Sequence, residues 1–450
     1  MMIRRLCSFV ALVLFCGLLL FALSCSDGNG SDGELGDDVS DDDVHDDDDD
    51  SSGGDDEEVD TLVYVGDLPV VRLKGDAYER GYELGRVMGD RIIDLYERYI
   101  IEYSLGADPE NWELYRLLKE IACSLLILTD EEKQEIQGLA DGVRDHWGNI
   151  IELPGGGEIE LNQNDICIAN AIADISQFGC SSVSIWGSLT ADGETVIARN
   201  LDWDPGPERM LGEGTVVISE TPPDESWHFV SIGWPGLFGC YSCVNGDGEA
   251  VFIHDTQRYN SGLALPVEPR TLLLRRAILA AEGDGEPFAA FESVIENGKV
   301  DTGNNFHFVM PGGGRDADVP AGCFEVDDNA EHPDGFATIR TSMDTDVNQT
   351  DLTEALFVTN HHRKRYPPVD CWRYETMIER VNELLDSGDG VIDLEELRWV
   401  AAQVSYDWAT VYTVVFKPSD WTLIIYRSGW GHPASENEGV KVPYDVLFPW

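Results

Sequence analysis

The stretch Gly179-Cys180-Ser181-Ser182-Val183-Ser184-Ile185-Trp186-Gly187-Ser188-Leu189-Thr190-Ala191-Asp192-Gly193-Glu194-Thr195-Val196-Ile197-Ala198-Arg199-Asn200-Leu201-Asp202-Trp203 decides how this chain is read. Two β-prone runs, 181–189 and 194–202, flank Ala191-Asp192-Gly193, the chemistry of a tight hairpin turn. A two-residue turn at Asp192-Gly193 puts Arg199 opposite Trp186 and Asp202 opposite Val183. Asp202 then lies about 10 Å along the ladder from Cys180. Arg199 shares the sheet face of Cys180, and a long guanidinium or a modest register shift brings both to the thiol. A cation beside a thiol lowers its pKa and activates it. Spacing alone leaves a second reading open, a surface hairpin over a buried cysteine.

Outward from this hairpin the chain changes character. Residues 75–150 read as helical, with Val87, Met88, Ile92, Ile93, Leu95 and Tyr96 at helical spacing. Thr129-Asp130-Glu131-Glu132 is a capping-box start for a helix to about Gly142. Beyond Gly179, strands are expected near 215–219, 228–233, 249–255, 306–310, 355–359, 411–416 and 422–427. Helices are expected at 269–282, 287–297, 373–386 and 393–403. The class is α+β or layered α/β, without internal repeats. Residues 385–396 resemble an EF-hand loop, but Leu385 stands where the first ligand must be acidic. The segment reads instead as a helix connection with Asp393 as N-cap. His361 and His362 read as loop or structural residues rather than metal ligands.

Of 450 residues, 43% are apolar, which supports a sizeable core. The 85 acidic against 30 basic residues give a net charge of -55 and exclude a general nucleic-acid binder. Arg4 and Arg5 precede an apolar run, 7–24, that ends in Ala22-Leu23-Ser24-Cys25. This reads as a lipoprotein signal over 1–24 with Cys25 lipidated; an ordinary signal peptide or an uncleaved anchor are the alternatives. Residues 26–60 carry 18 Asp and Glu and no Lys or Arg. With Cys25 they read as an acidic, solvated tether (25–60) rather than a calcium-binding tail. The expected place is a bacterial cell envelope, held to the membrane by lipid. Ten cysteines leave seven after Cys7, Cys16 and Cys25 are set aside, so at least one thiol is free. Cys240-Tyr241-Ser242-Cys243 reads as a local disulfide or plain burial rather than a redox or zinc motif.

Residues 70–430 resemble the peptidase C45 family, the acyl-coenzyme A:6-aminopenicillanic acid acyltransferase-like group. That group is related to choloylglycine hydrolases within the N-terminal-nucleophile hydrolases. The resemblance is carried by 73–85, Glu135–Gly142, Asn164-Asp165 to Asn170 and Asp174, Gly179–Ser182, Ala198–Trp203, Tyr241–Gly248, Val358–His361 and Cys371–Arg373. It implies an αββα sandwich, two stacked antiparallel sheets between helix layers. It also implies self-cleavage between Gly179 and Cys180, dividing the hydrolase into a helical 61–179 segment and a catalytic 180–450 segment. Cys180 becomes the nucleophile with its own α-amine as base, so no histidine is needed. Asp202 holds the amine or thiol, Arg199 sits by the thiol, Asn360 donates to the oxyanion, and Arg373 completes the site. Asn245 matches a family asparagine. Asp255 falls where bile-salt hydrolases have a second oxyanion asparagine, and an anionic side chain there opposes that role. Neither metal nor cofactor is required.

The expected activity is hydrolysis of linear N-acyl amides through an acyl thioester, with transfer less suited to a tethered envelope enzyme. The rivals are a C69-type dipeptidase, and a non-catalytic surface lipoprotein binding divalent ions or a partner through its acidic tether.

Overall fold

The computed structural model describes residues 60–106, 108–153, 157–175, 178–256, 265–300, 302–312, 319–329, 331–429 and 431–449. The expected signal segment, Cys25 and all but the last residue of the tether lie outside them. The larger sheet has nine strands. In order across it they are β1 (Leu62–Val65), β2 (Leu68–Lys74), β7 (Val216–Thr221), β8 (Phe229–Gly233), β9 (Ser242–Asn245), β10 (Ala250–Asp255), β11 (Asn304–Val309), β12 (Ala321–Val326) and β13 (Ala337–Arg340). The smaller sheet has six, in the order β14 (Ala355–Val358), β5 (Gly179–Ile185), β6 (Val196–Asp202), β15 (Thr410–Lys417), β16 (Thr422–Arg427) and β17 (Val440–Val442). β3 (Ile150–Glu152) and β4 (Glu158–Glu160) form a separate hairpin. Neighbours run antiparallel except β2 and β7, which are parallel with Val70 beside Val217.

Most of these strands are buried on both faces and rich in Val, Ile and Phe. Such strands need cover on each side. The two sheets supply one cover for each other: Ser182 and Ser184 of β5 hydrogen-bond to His254 of β10 and His307 of β11. Helices supply the rest. α1 (Ala77–Asp94), α3 (Arg270–Ala281) and α4 (Pro287–Asn297) pack on the nine-stranded sheet, with α2 (Asp130–Trp147) against α1. α5 (Trp372–Ser387) and α6 (Leu394–Ala402) cover the six-stranded sheet through Tyr374, Met377, Leu397 and Val400. The molecule is an αββα sandwich.

α1 and α2 approach backbone to backbone. A Cβ added at Gly81 would lie 2.1 Å from the Glu135 carbonyl oxygen, and one at Gly138 would lie 2.2 Å from that of Tyr78. The capping box expected at Thr129/Glu132 forms, and Asp393, expected as an N-cap, forms one with Glu396. β1, β2, β3, β4, β9, β12, β13 and β17 have no counterpart among the expected strands. β12 hides because its Gly322 and Glu325 read as turn and surface; Glu325 is in fact buried against Arg340 at 2.8 Å. Among the described residues Cys123 pairs with Cys167 and Cys240 with Cys243, leaving Cys180, Cys323 and Cys371 as free thiols. No helix among the described residues is long and apolar enough to cross a membrane.

Candidate active site

The hairpin that carries Cys180 forms, with a register four positions from the expected one. Gly179 stands opposite Asp202, Cys180 opposite Leu201 and Ser182 opposite Arg199. The strands stop at Ile185 and Val196, because the connection is not a two-residue turn. It folds into a single 3-10 turn, Gly187–Leu189, closed by the Gly187 amide on the Gly193 carbonyl. Glu354 pins it from outside, accepting from the Ser188 amide at 2.9 Å. The shift slides Arg199 and Asp202 toward Cys180. By strand alternation Cys180, Ser182 and Arg199 face the other sheet, while Ser181, Asn200 and Asp202 face the α5/α6 layer.

Arg199 Nη2 donates to Cys180 Sγ at 3.2 Å and to the Ile253 carbonyl at 3.0 Å, and its guanidinium lies 5.5 Å over the Tyr412 ring. Its Nε and Nη1 have no hydrogen-bond partner. Both residues are fully buried. Burial pushes the thiol up to about 12, against the pull of Arg199. On the helix-facing side Asp202 accepts from Arg373 Nη1 at 2.8 Å and from Thr410 Oγ1 at 2.6 Å. Burial raises its carboxyl pKa, with Arg373 opposing. Asn360 Oδ1 accepts from the Cys180 backbone N–H at 2.9 Å and from Arg373 Nη2 at 2.5 Å. Its Nδ2 donates to the carbonyls of Asp255 at 2.5 Å and Phe178 at 3.4 Å.

Thus Cys180, Arg199, Asp202, Asn360 and Arg373 are brought together. Asn245 is not. It closes the turn between β9 and β10, donating to Glu249 and to the Ile278 carbonyl and accepting from the Glu249 amide. That turn is at the opposite end of β10 from Asp255, so Asn245 has no place among the site residues. Asp255 meets a cation, with Arg270 Nη2 at 3.4 Å from its Oδ2.

Several contributors were not foreseen: Thr410, Tyr412, Arg270, Phe178 and Tyr241. Phe178 is stacked on Trp203 with centroids 5.2 Å apart, faces Tyr241 at 6.3 Å and carries the Arg270 guanidinium at 4.8 Å. A small apolar pocket shares the wall of Trp203 and is lined by Tyr99, Ile100, Ile172, Leu211 and Trp234. Its polar wall atoms are engaged, Tyr99 Oη with the Asp204 carbonyl at 2.9 Å and Trp234 Nε1 with that of Leu211 at 2.7 Å.

Behind the thiol, between the sheets, runs a buried chain. Ser182 Oγ lies 2.8 Å from His254 Nε2 and 2.7 Å from His307 Nδ1, and Ser184 Oγ lies 2.9 Å from His307 Nε2. Burial holds both histidines below their ordinary range, His307 at about 3.

No family model matches the chain. A protein of Archaeoglobus fulgidus named only as uncharacterized is 25% identical over 380 residues, 75% of this chain and 59% of that protein. The chain therefore spans less than two thirds of that relative's length. Among solved structures, a Caenorhabditis elegans ortholog of N-acylethanolamine-hydrolyzing acid amidase matches with TM-score 0.38 and 14% identity, over 53% of this chain and 93% of that one. A mutant conjugated bile acid hydrolase from Clostridium perfringens matches with TM-score 0.35 and 12% identity, over 59% and 97%. Penicillin V acylase from Agrobacterium tumefaciens matches with TM-score 0.34 and 12% identity, over 55% and 83%.

Proposed function

We propose that this chain is an N-terminal-cysteine amidohydrolase of the C45 type that cuts itself between Gly179 and Cys180. It would then hydrolyse linear N-acyl amides. One observation carries the reading. The backbone nitrogen of Cys180 is held by Asn360, which is held by Arg373, which is held by Asp202, while the thiol of the same residue touches Arg199. Once the Gly179–Cys180 bond opens, that nitrogen becomes an amine beside its own thiol.

The chemistry follows. The amine takes the Sγ proton as Sγ attacks the substrate carbonyl. The leaving nitrogen receives that proton as the C–N bond breaks, and an acyl thioester remains. Water, deprotonated by the amine, releases the acid and restores the thiol. Arg199 stabilises the thiolate and Asp202 with Arg373 keeps Asn360 in place. Asn360 offers its amide N–H to the developing oxyanion once the Phe178 carbonyl has withdrawn. The apolar pocket beside Trp203 suits a substrate with an apolar part.

Lipid anchoring through Cys25 in a cell envelope is part of the proposal. The Cys123–Cys167 disulfide supports an oxidising compartment.

Turnover of N-acyl 4-nitroanilides tests the reading. Cys180→Ala should reduce it to background, and Asn360→Ala should lower kcat by roughly 10²–10³. Retained hydrolysis in Cys180→Ala overturns it.

A further inference from the structure

We infer that the seat now filled by Phe178 is the acyl subsite of the mature enzyme. It takes an aromatic ring carried on the sixth atom of an acyl chain whose α-carbon is unbranched. This rests on the proposed self-cleavage and extends it by naming the acyl group.

In self-cleavage the first acyl group Cys180 receives is its own preceding chain. Sγ bonds to the Gly179 carbonyl carbon, and the C–N bond to Cys180 breaks as the nitrogen takes the thiol proton. Water then splits the thioester into a Gly179 carboxylate and a free thiol. The same thiol later attacks a substrate carbonyl from the same position. The groups that steer the Gly179 carbonyl to Sγ are therefore already placed to steer a substrate's. From that carbonyl the chain runs through Gly179 Cα and N, then Phe178 C, Cα and Cβ, to the ring. Counted from the carbonyl carbon, the ring hangs on the sixth atom, as in a 6-phenylhexanoyl group.

The seat is built for a ring. Trp203 stacks beneath it, Tyr241 flanks it, and the buried Arg270 guanidinium sits 4.8 Å over its centre. Stacking and cation–π attraction both reward an aromatic occupant over an alkyl one. The Tyr241 hydroxyl is buried without a hydrogen-bond partner, a polar group in this wall that Phe178 leaves unused. The α-carbon position is narrow. A Cβ on Gly179 would meet Asp202 Cβ at 3.2 Å, Asp202 Oδ2 at 3.4 Å and Arg373 Nη1 at 3.8 Å. Asp202 and Arg373 are fixed on each other, so a branch there pushes on the machinery itself. After the cut, Gly179 is a chain end no longer tied to β5, and Phe178 is free to withdraw.

The test compares three 4-nitroanilides on the full wild-type chain, whose self-cleavage is checked by intact mass. They are the 6-phenylhexanoyl compound, the dodecanoyl compound with the same number of acyl carbons, and the 2-methyl-6-phenylhexanoyl compound. The first should exceed each of the others in kcat/KM by at least about tenfold. A cleaved enzyme that prefers dodecanoyl, accepts the α-methyl compound equally, or turns over none of the three overturns the seat alone. Preference for dodecanoyl would put the acyl chain in the pocket beyond Trp203 instead. A chain that stays whole and hydrolyses none of them overturns the self-cleavage reading and the seat with it.

Discussion

A thiol without water around it keeps its proton. Cys180 is such a thiol, fully buried, with Arg199 the strongest of the groups that oppose burial. This suits the proposed role, in which the thiol works only after its own amine is freed. Cys371 behaves differently. Burial pushes it up, but hydrogen bonding with His361, with the Tyr374 amide near the start of α5 and with Thr359 together brings it down to about 7. Cys323 is raised by burial to about 12. In the Cys180→Ala chain, iodoacetamide should therefore label Cys371 with a pH midpoint near 7 and leave Cys323 unlabelled. Peptide mapping across a pH series checks this; equal labelling of both would contradict it. Cys180, Arg199 and Asp202 were legible in the sequence because one hairpin carries all three. Asn360 and Arg373 meet them across more than 170 residues. No spacing rule links such positions, and only the resemblance pointed to them. Phe178 looked like any other core aromatic, because nothing local marks a ring as a partner of Trp203 and Arg270.

Strand β5, which carries Cys180, is clamped to the opposite sheet by a chain whose proton order can be worked out. His254 Nδ1 lies 3.1 Å from the Phe252 carbonyl and 3.3 Å from that of Asn305, which only accept, so Nδ1 carries the proton. Neutral His254 therefore accepts from Ser182 through Nε2. Ser182 has then spent its hydrogen and accepts from His307 Nδ1, and His307 Nε2 accepts from Ser184. One extra proton breaks this order. His307 takes it up near pH 3 in the fold and near 6.5 when unfolded. Between those values the unfolded chain binds more protons, so stability rises with pH and is lost as pH falls. In uncleaved Cys180→Ala protein, His307→Asn should flatten the pH dependence of unfolding free energy between about pH 4 and 6, by up to about 1.4 kcal/mol per unit. Denaturant titrations measure it, and an unchanged slope would count against the chain. The later helices and most of the later strands could be read from periodicity. The hairpin register could not, since Glu354, far along the chain, helps fix the connection that sets it.

A cut between Gly179 and Cys180 would leave two chains that meet in the nine-stranded sheet and its helix cover. β2 of the first pairs with β7 of the second, and α1 packs on the larger sheet. A buried quartet crosses the same boundary: Glu135 meets Arg80 at 2.7 Å and Arg275 at 2.5 Å, and Arg275 meets Glu220 at 2.5 Å. Removing one member of such a set strands a buried charge, at a cost of about 3–5 kcal/mol. The sandwich therefore has no need of the peptide bond at 179–180, and the bond can be spent on making an amine. The most direct measurement is intact-mass spectrometry of purified protein spanning residues 61–450, wild type beside Cys180→Ala. The account predicts two fragments meeting at Gly179 and Cys180 in the wild type and one chain in the variant. One intact chain in both would contradict it.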